Sequence, residues 1–388
     1  MRKAIRAIRV LGVSVVVLGL LSARAALSAE VAEPKWLTGK PLNEWFPIEG
    51  TKGAGGAPVN DFSGMTVKES TSEIIIAAAG GHGGSRDNRV VSIDLRADAP
   101  AWIQRHAPSP SAPDNVDYNP DGQPASRHTY ASTQYVASLD RVFLVGCRFT
   151  TPGSYEYPHL DSFNLATNTW DPKGTNPEIP KGSGYGVVSN PATGDLFTQT
   201  MAMWSPATKT WSTPITKPAP VGVRFPFAFD TKRNQIFGLN YGDGQGYGDP
   251  KVTAVRESLS AKQGFQVTIA PGDALTQFLK DTPTYCGMDY DPDHDRFLYY
   301  CGQGEGAGRI YVITPNDTNT WEMSLFKFGA GSKTPPAAGG AGINNRFRYI
   351  PQLKGFVLLE DGRENLFFIR TANLGKATAA APAPAPKK

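Results

Sequence analysis

The chain has 388 residues, with 39 Lys and Arg against 35 Asp and Glu, but five of the basic residues and no acidic ones fall in residues 1–29. Without that segment the balance is 34 to 35, which excludes the basic field needed by a general nucleic-acid binder or a polybasic membrane-surface protein. Gly (41) and Pro (32) together make about 19% of the chain, a turn-rich composition that suits an all-β protein and not a helical one.

Reading from the start, Arg2, Lys3, Arg6 and Arg9 precede a run of twelve apolar or small residues, 10–21, and then Ala23, Ala25, Ser28 and Ala29. A charged start, a short apolar stretch and small residues at a cleavage point make residues 1–29 a secretory leader. The alternative is an N-terminal anchor, but twelve apolar residues fall short of the roughly 20 that cross a bilayer. No Cys follows the stretch to take a lipid. The expected mature chain is periplasmic or secreted, monomeric, and without a membrane span after cleavage.

Strand signals then recur, each bounded by Gly, Pro, Asn or Asp. Inner strands begin near residues 63, 128, 185, 225, 286 and 344, a spacing in the range of propeller blades. The clearest unit runs from Ser126 to Trp170: a strand over 129–136, a tight turn at 138–140, a strand over 141–145, a long loop, a strand over 160–165, a turn, and a strand starting at Trp170. Trp102, Trp211 and Trp321 end other units in the same way. The last unit stops near Ile369 with no Trp strand behind it, whereas Trp45–Ile48 is a spare one near the start. These residues are expected to complete the last sheet; the other reading has Trp45 plugging the bottom of the first unit. Residues 376–388 are an Ala/Pro run ending in two lysines, with too little apolar surface to fold.

The paired glycines Gly80-Gly81, the turn followed by Trp at the end of each unit, and Arg127-His128 opening an inner strand resemble the Kelch family of β-propellers. The resemblance spans residues 36–372 as a single domain. It implies an all-β fold of six blades, with seven as the alternative, closed by the N-terminal strand. Gly80-Gly81-His82-Gly83-Gly84 together with Ser126-Arg127-His128-Thr129-Tyr130 is similar to a bacterial exported Kelch-like group to which no established reaction attaches. In Kelch blades the Arg-His pair ties neighbouring blades together.

Antiparallel strands alternate their loops between two faces. The loop between the second and third strands and the connection into the next unit therefore share one face. That face collects His82, Arg127, His128, Arg148, Tyr155, Tyr157, His159, Tyr185, Arg224, Tyr241, Asp243, Gln245, Gln303, Glu305, Asn344, Asn345, Arg346, Glu360, Asp361 and Arg363, whereas the opposite turns carry only hairpin chemistry. Binding is expected on the rich face, since function gathers on loops held by a rigid scaffold. The candidate ligand-binding residues are His82, Arg127, His128, Arg148, Tyr185, Arg224 and Arg346. His82 is either ligand-facing or set among glycines that merely relieve crowding. His106 and His294 fall outside the site, and His159 could reach it.

No metal-ligand spacing appears, and neither a copper-radical site of the galactose-oxidase type nor a Ser-His-Asp elbow is supported. No cofactor is expected. Pairing Asp291 with Arg296 across their turn sets Cys286 opposite Cys301, a cross-strand pair able to form a disulfide in an oxidising compartment. Cys147 is left over as a buried thiol.

Three functions suit this reading. The first is a binding module for a small molecule or glycan, in which Tyr stacks on sugar rings and Arg pairs with carboxylates. The second is a β-elimination lyase on the same face, with His82 or His128 as base, Tyr130 or Tyr185 as acid, and Arg127 or Arg224 neutralising a uronate. The third is a scaffold for a protein partner. A lyase requires His, Tyr and Arg tips that converge on one substrate; a scaffold requires a broad surface without such convergence.

Overall fold

Short, fully buried runs such as Glu73–Ala77 set the architecture of this chain. The computed structural model describes residues 32–374, apart from 60–61, 81–84, 114–115, 147, 151–152, 156–157, 182–185, 220–225, 243–250 and 340–341, with side chains left out over 147–157. The segment expected to be a leader (1–29), the segment expected to be a tail (376–388), and His82, Cys147, Tyr157, Tyr185, Arg224, Asp243 and Gln245 therefore lie outside the described residues. Residues Glu33–Leu374 make one compact unit.

The chain is mostly β, built as four-stranded antiparallel sets that fit a β-propeller. Set I comprises Thr66–Lys68, Glu73–Ala77, Val90–Asp94 and Trp102–His106; set II comprises Thr133–Val136, Arg141–Val145, Leu160–Asn164 and Thr169–Trp170. Set III comprises Val187–Ser189, Leu196–Thr198, Met203–Ser205 and Thr210–Ser212; set IV comprises Phe227–Asp230, Gln235–Tyr241, Val252–Ser258 and Gln263–Ile269. Set V comprises Gly287–Asp291, Arg296–Tyr300, Ile310–Thr314 and Thr320–Leu325. Set VI comprises Phe347–Ile350, Gly355–Leu358, Phe367–Arg370 and, from the other end of the chain, Trp45–Pro47, in register Trp45↔Ile369 and Phe46↔Phe368. Sets IV and V fuse into one eight-stranded sheet through a short parallel pairing of their outer strands, Thr268↔Thr320 and Ile269↔Trp321.

Successive side chains on a strand point to opposite faces, and here both faces are covered. Ile74 and Ile76 pack towards set VI, with Val357 and Phe368, while Ile75 and Ala77 pack towards set II, with Val142 and Leu144. The core is consequently a series of apolar layers between neighbouring sets. Phe143 of set II lies 4.7 Å from Trp204 of set III, and Phe237 of set IV lies 4.7 Å from Trp321 of set V. This two-sided burial is why the second strands read as unbroken apolar runs. The inner strands pack in chain order from set I to set VI, and Phe347–Ile350 of set VI also packs against Thr66–Lys68 of set I.

The turn between first and second strands repeats one device. The residue just before the second strand has a left-handed backbone in every set: Ser72, Asp140, Gly194 one residue earlier, Asn234, Asp295 and Lys354, with φ from 49° to 78°. Such a residue reverses the chain in the sense of the strand twist.

Two details differ from the sequence reading. The inner strand expected over 129–136 is only Thr133–Val136, because Tyr130 turns left-handed at φ 37° and cannot continue a strand. A nine-residue helix, Asp273–Asp281, leads into set V and buries Ala274 and Phe278; the sequence reading contained no helix there, since about two and a half turns of amphipathic pattern are too short to stand out.

Candidate functional site

Among the described residues, the loops of the rich face meet in a cleft of about 500 Å³. Its walls come from residues 56–59 ahead of set I, from Gly339, Gly342 and Arg346 on the way into set VI, and from Glu360, Asp361, Gly362 and Arg363 after the second strand of set VI. All three segments belong to the face to which strand parity assigns them.

Arg346 is buried and acts as a keystone of the cleft floor. Its guanidinium donates to the carbonyls of Ser63, Gly342, Leu359 and Glu360, so it ties set VI to the entry of set I. Asn345 does the same one residue earlier: its Oδ1 accepts from the Met65 N–H at 3.0 Å and its Nδ2 donates to the Met65 carbonyl at 2.8 Å. At the rim, Arg363 is 87% exposed and pairs with Asp361 at 2.7 Å.

Glu360 is the unusual group. It is 2% exposed, and its Oε1 accepts a hydrogen bond from the Tyr300 hydroxyl at 2.5 Å, while Oε2 has no hydrogen-bond partner among the described residues. Burial pushes its carboxyl up to about 8, against the opposing pull of Tyr300 and Arg346. With Oε1 accepting, the proton of the neutral acid belongs on Oε2, which is then a buried donor beside the cleft.

The other sequence candidates divide by burial. Arg127 is 1% exposed; its Nη2 donates to Asp161 Oδ2 at 2.8 Å, its N–H reaches the Ala78 carbonyl of set I at 3.0 Å, and Asp161 also accepts from the Tyr118 hydroxyl. His128 is likewise 1% exposed, with Nδ1 3.1 Å from the Tyr130 hydroxyl. Arg127, His128 and Arg346 thus sit beneath the face, positioned as supports. Arg148 stands in a two-stranded hairpin, Arg148–Thr150 with Gly153–Tyr155, whose side chains lie outside the described set. His159 is near Asp117 at 3.5 Å and packs on Tyr118. His106 bonds the Asn168 carbonyl at 3.0 Å, and His294 bonds Asp291 in a turn of the opposite face at 2.9 Å; both stand apart from the cleft.

Cys286 and Cys301 face each other with Cα atoms 4.3 Å apart and are joined as a disulfide, in the register set by Gly287↔Tyr300. Cys286 lines a channel of about 110 Å³ bounded by the inner strands, with Ala131, Gln134, Ser189, Phe229, Asp289, Asn345 and Arg348.

Sequence reasoning named His128 and Tyr130 but missed Phe62 and Tyr285, which join them in a cluster of rings at the entries of these inner strands. Phe62 lies 5.2 Å from Tyr130, 5.2 Å from Tyr285 and 5.4 Å from His128. Phe62, Tyr130 and Tyr285 all have left-handed backbones, at φ 59°, 37° and 53°, a conformation that costs a bulky residue about 1–3 kcal/mol. The signal that could have found them is an aromatic residue placed two to four positions ahead of an inner strand. Among the described residues no group of His, Cys, Asp and Glu could hold a metal ion, and no helix is long and apolar enough to cross a membrane.

No protein-family model and no curated protein matches this chain. Among solved structures, that of YjhT is 10% identical, with a TM-score of 0.44, over 80% of this chain and 99% of its own length. A complex of KlAtg21 with the coiled coil of AgAtg16 is 11% identical, with a TM-score of 0.42, over 78% of each chain.

Proposed function

We propose that this chain is an exported, monomeric Kelch-type propeller of six blades that binds a glycan on the face carrying the cleft. In this reading residues 1–29 are removed on export, residues 36–372 form the propeller, and 376–388 are a tail. The six four-stranded sets are the blades, and Trp45–Pro47 closes the ring by supplying the outer strand of set VI. Export agrees with the placement of Cys286 opposite Cys301, since disulfides persist in oxidising compartments.

The observation that carries the binding reading is the cleft, which combines a buried acid whose second oxygen has no hydrogen-bond partner among the described residues (Glu360) and an exposed guanidinium (Arg363) within a volume typical of small-ligand sites. Arg363 suits a uronate carboxylate, and the Glu360 acid suits a hydroxyl or carboxylate oxygen. His82, Arg148, Tyr185 and Arg224 are the candidates for extending the site across the same face.

A lyase is the second reading, favoured by the His128–Tyr130 contact. Both residues are almost fully buried, so elimination would require the face to open.

The test is a thermal-shift screen of residues 30–388 with hexagalacturonate, oligoalginate, cellohexaose and maltohexaose. Binding to the native state raises Tm with ligand concentration. A saturable rise with a uronate oligosaccharide that Arg363→Ala diminishes is the expected result. No rise with any of them, and no heat of binding by calorimetry, would overturn the glycan reading in favour of the protein scaffold. Ultraviolet absorbance of an unsaturated uronate on prolonged incubation would convert binding to catalysis.

A further inference from the structure

We propose that the strained rings of Phe62 and Tyr285, backed by Tyr130 and His128, form an aromatic roof over the mouth of the central channel on which a pyranose ring of the ligand stacks. This rests on the glycan reading above and assigns the stacking wall of its site.

Phe62 leads into set I and Tyr285 into set V, and the inner strand of set VI packs between those of the two. Their rings nevertheless lie 5.2 Å apart, with an edge-to-face tilt of 71°, so they meet across the channel mouth and not along a shared blade interface. The residues immediately after Tyr130, Tyr285 and Asn344, namely Ala131, Cys286 and Asn345, line the channel itself. Tyr130 is almost fully buried beneath, whereas Phe62 and Tyr285 are partly exposed. The roof also borders the cleft: a Cβ on Gly342, a cleft residue, would come within 2.7 Å of the Tyr285 Cβ, and Arg346 bonds the carbonyl of Ser63, next to Phe62.

Each left-handed turn is clasped by a neighbouring segment. The Tyr130 N–H donates to the Phe62 carbonyl at 2.8 Å, and a Cβ on Gly64 would collide with the Tyr130 carbonyl at 2.0 Å. The Tyr285 carbonyl accepts from both Ile343 and Asn344 at 3.0 and 2.8 Å, and the Cys286–Cys301 disulfide begins at the next residue. Strain of this kind persists only where the surroundings enforce it, and three bulky residues bent the same way around one opening mark a place where ring orientation is the product. Aromatic faces held rigid beside convergent polar groups are suited to the apolar face of a sugar, because no side-chain order remains to be lost on binding. The sequence puts Tyr185 and Phe225 at the same point ahead of sets III and IV; both lie outside the described residues.

The test is calorimetric titration of hexagalacturonate and cellohexaose into the full exported chain and into Phe62→Leu, Tyr285→Leu, Phe62→Tyr and Arg363→Ala variants, with Tm recorded for each. The Leu variants keep apolar volume and remove the ring. The expected result is a loss of about tenfold or more in affinity for both Leu variants, retention within about threefold in Phe62→Tyr, and Tm values near that of the parent. Unchanged affinity in both Leu variants, with binding abolished by Arg363→Ala, would overturn the roof while leaving the glycan site in the cleft. Absence of binding by the parent chain would overturn the glycan reading and the roof with it. Should a Leu variant lose its fold, Tyr285→Phe and Phe62→Tyr with unchanged fold and undiminished binding, compared against the unbranched Phe62→Met, decide on ring retention: binding by Phe62→Met equal to that of Phe62→Tyr overturns the proposal.

Discussion

Glu257 and Glu360 are carboxyls held out of water, and each keeps an oxygen with no hydrogen-bond partner among the described residues. Burial raises Glu257 to about 7 and Glu360 to about 8, from an ordinary 4.5. The folded state therefore binds protons more tightly than the unfolded state. The stability contributed is fully present below pH 4.5 and is lost as pH rises through 7 for Glu257 and through 8 for Glu360, at most about 3 kcal/mol for the first and about 5 kcal/mol for the second. Tm should fall between pH 5 and 8, and Glu257→Gln with Glu360→Gln should flatten that slope in a calorimetric pH series; an unchanged slope would show that neither carboxyl is neutral. The Arg127–Asp161 pair makes the converse case. Both members are buried and charged, so Arg127→Ala should cost about 3–5 kcal/mol by urea denaturation, and the double variant Arg127→Met with Asp161→Leu should cost less. At this scale the sequence exposed Arg127-His128 as a motif and Glu360 as a face residue. It did not expose Asp161, 34 positions away, because an ion-pair partner is chosen by packing.

At the scale of elements, the left-handed residue before each second strand carries the hairpin. Asn234, exposed at φ 50°, should tolerate Gly with no loss of stability, whereas Asn234→Val should cost about 1–2 kcal/mol, since a branched side chain crowds its own carbonyl there. Urea midpoints of the two variants measure this directly. The disulfide closes a loop 15 residues apart in sequence, so Cys286→Ala with Cys301→Ala should cost about 3 kcal/mol, with reducing agent lowering the Tm of the parent alone. The register that pairs these cysteines was legible because hairpin pairing is arithmetic once a turn is known: Asp291↔Arg296 leads to Gly287↔Tyr300. The strand start at Thr133 and the helix Asp273–Asp281 were not legible. The first is ended by a kink that set I enforces on Tyr130, and the second gains its stability from burying Phe278 against Tyr299 and Tyr311.

For the whole molecule, the central prediction concerns Trp45. It is 1% exposed, its indole N–H donates to the Gly308 carbonyl at 3.3 Å, and its ring packs on Tyr300 and Phe347. Trp45→Ala should cost about 3–5 kcal/mol, and removal of residues 30–49 should leave set VI with an open edge and drive association, read by light scattering. A stable, monomeric deletion variant would contradict this account of the outer strand. The sequence alone determined the repeated strand grammar, the spare Trp strand and the cysteine register, because alternation, turn chemistry and hairpin arithmetic are local properties of the chain. Only the tertiary structure decided that Arg127, His128 and Arg346 are buried beneath the loop-rich face, that Glu360 is a buried acid beside a cleft, and that the rings of Phe62 and Tyr285 come within 5.2 Å of each other. Those outcomes depend on which distant segments pack together, and burial and contact are properties of the assembled layers, not of any one strand.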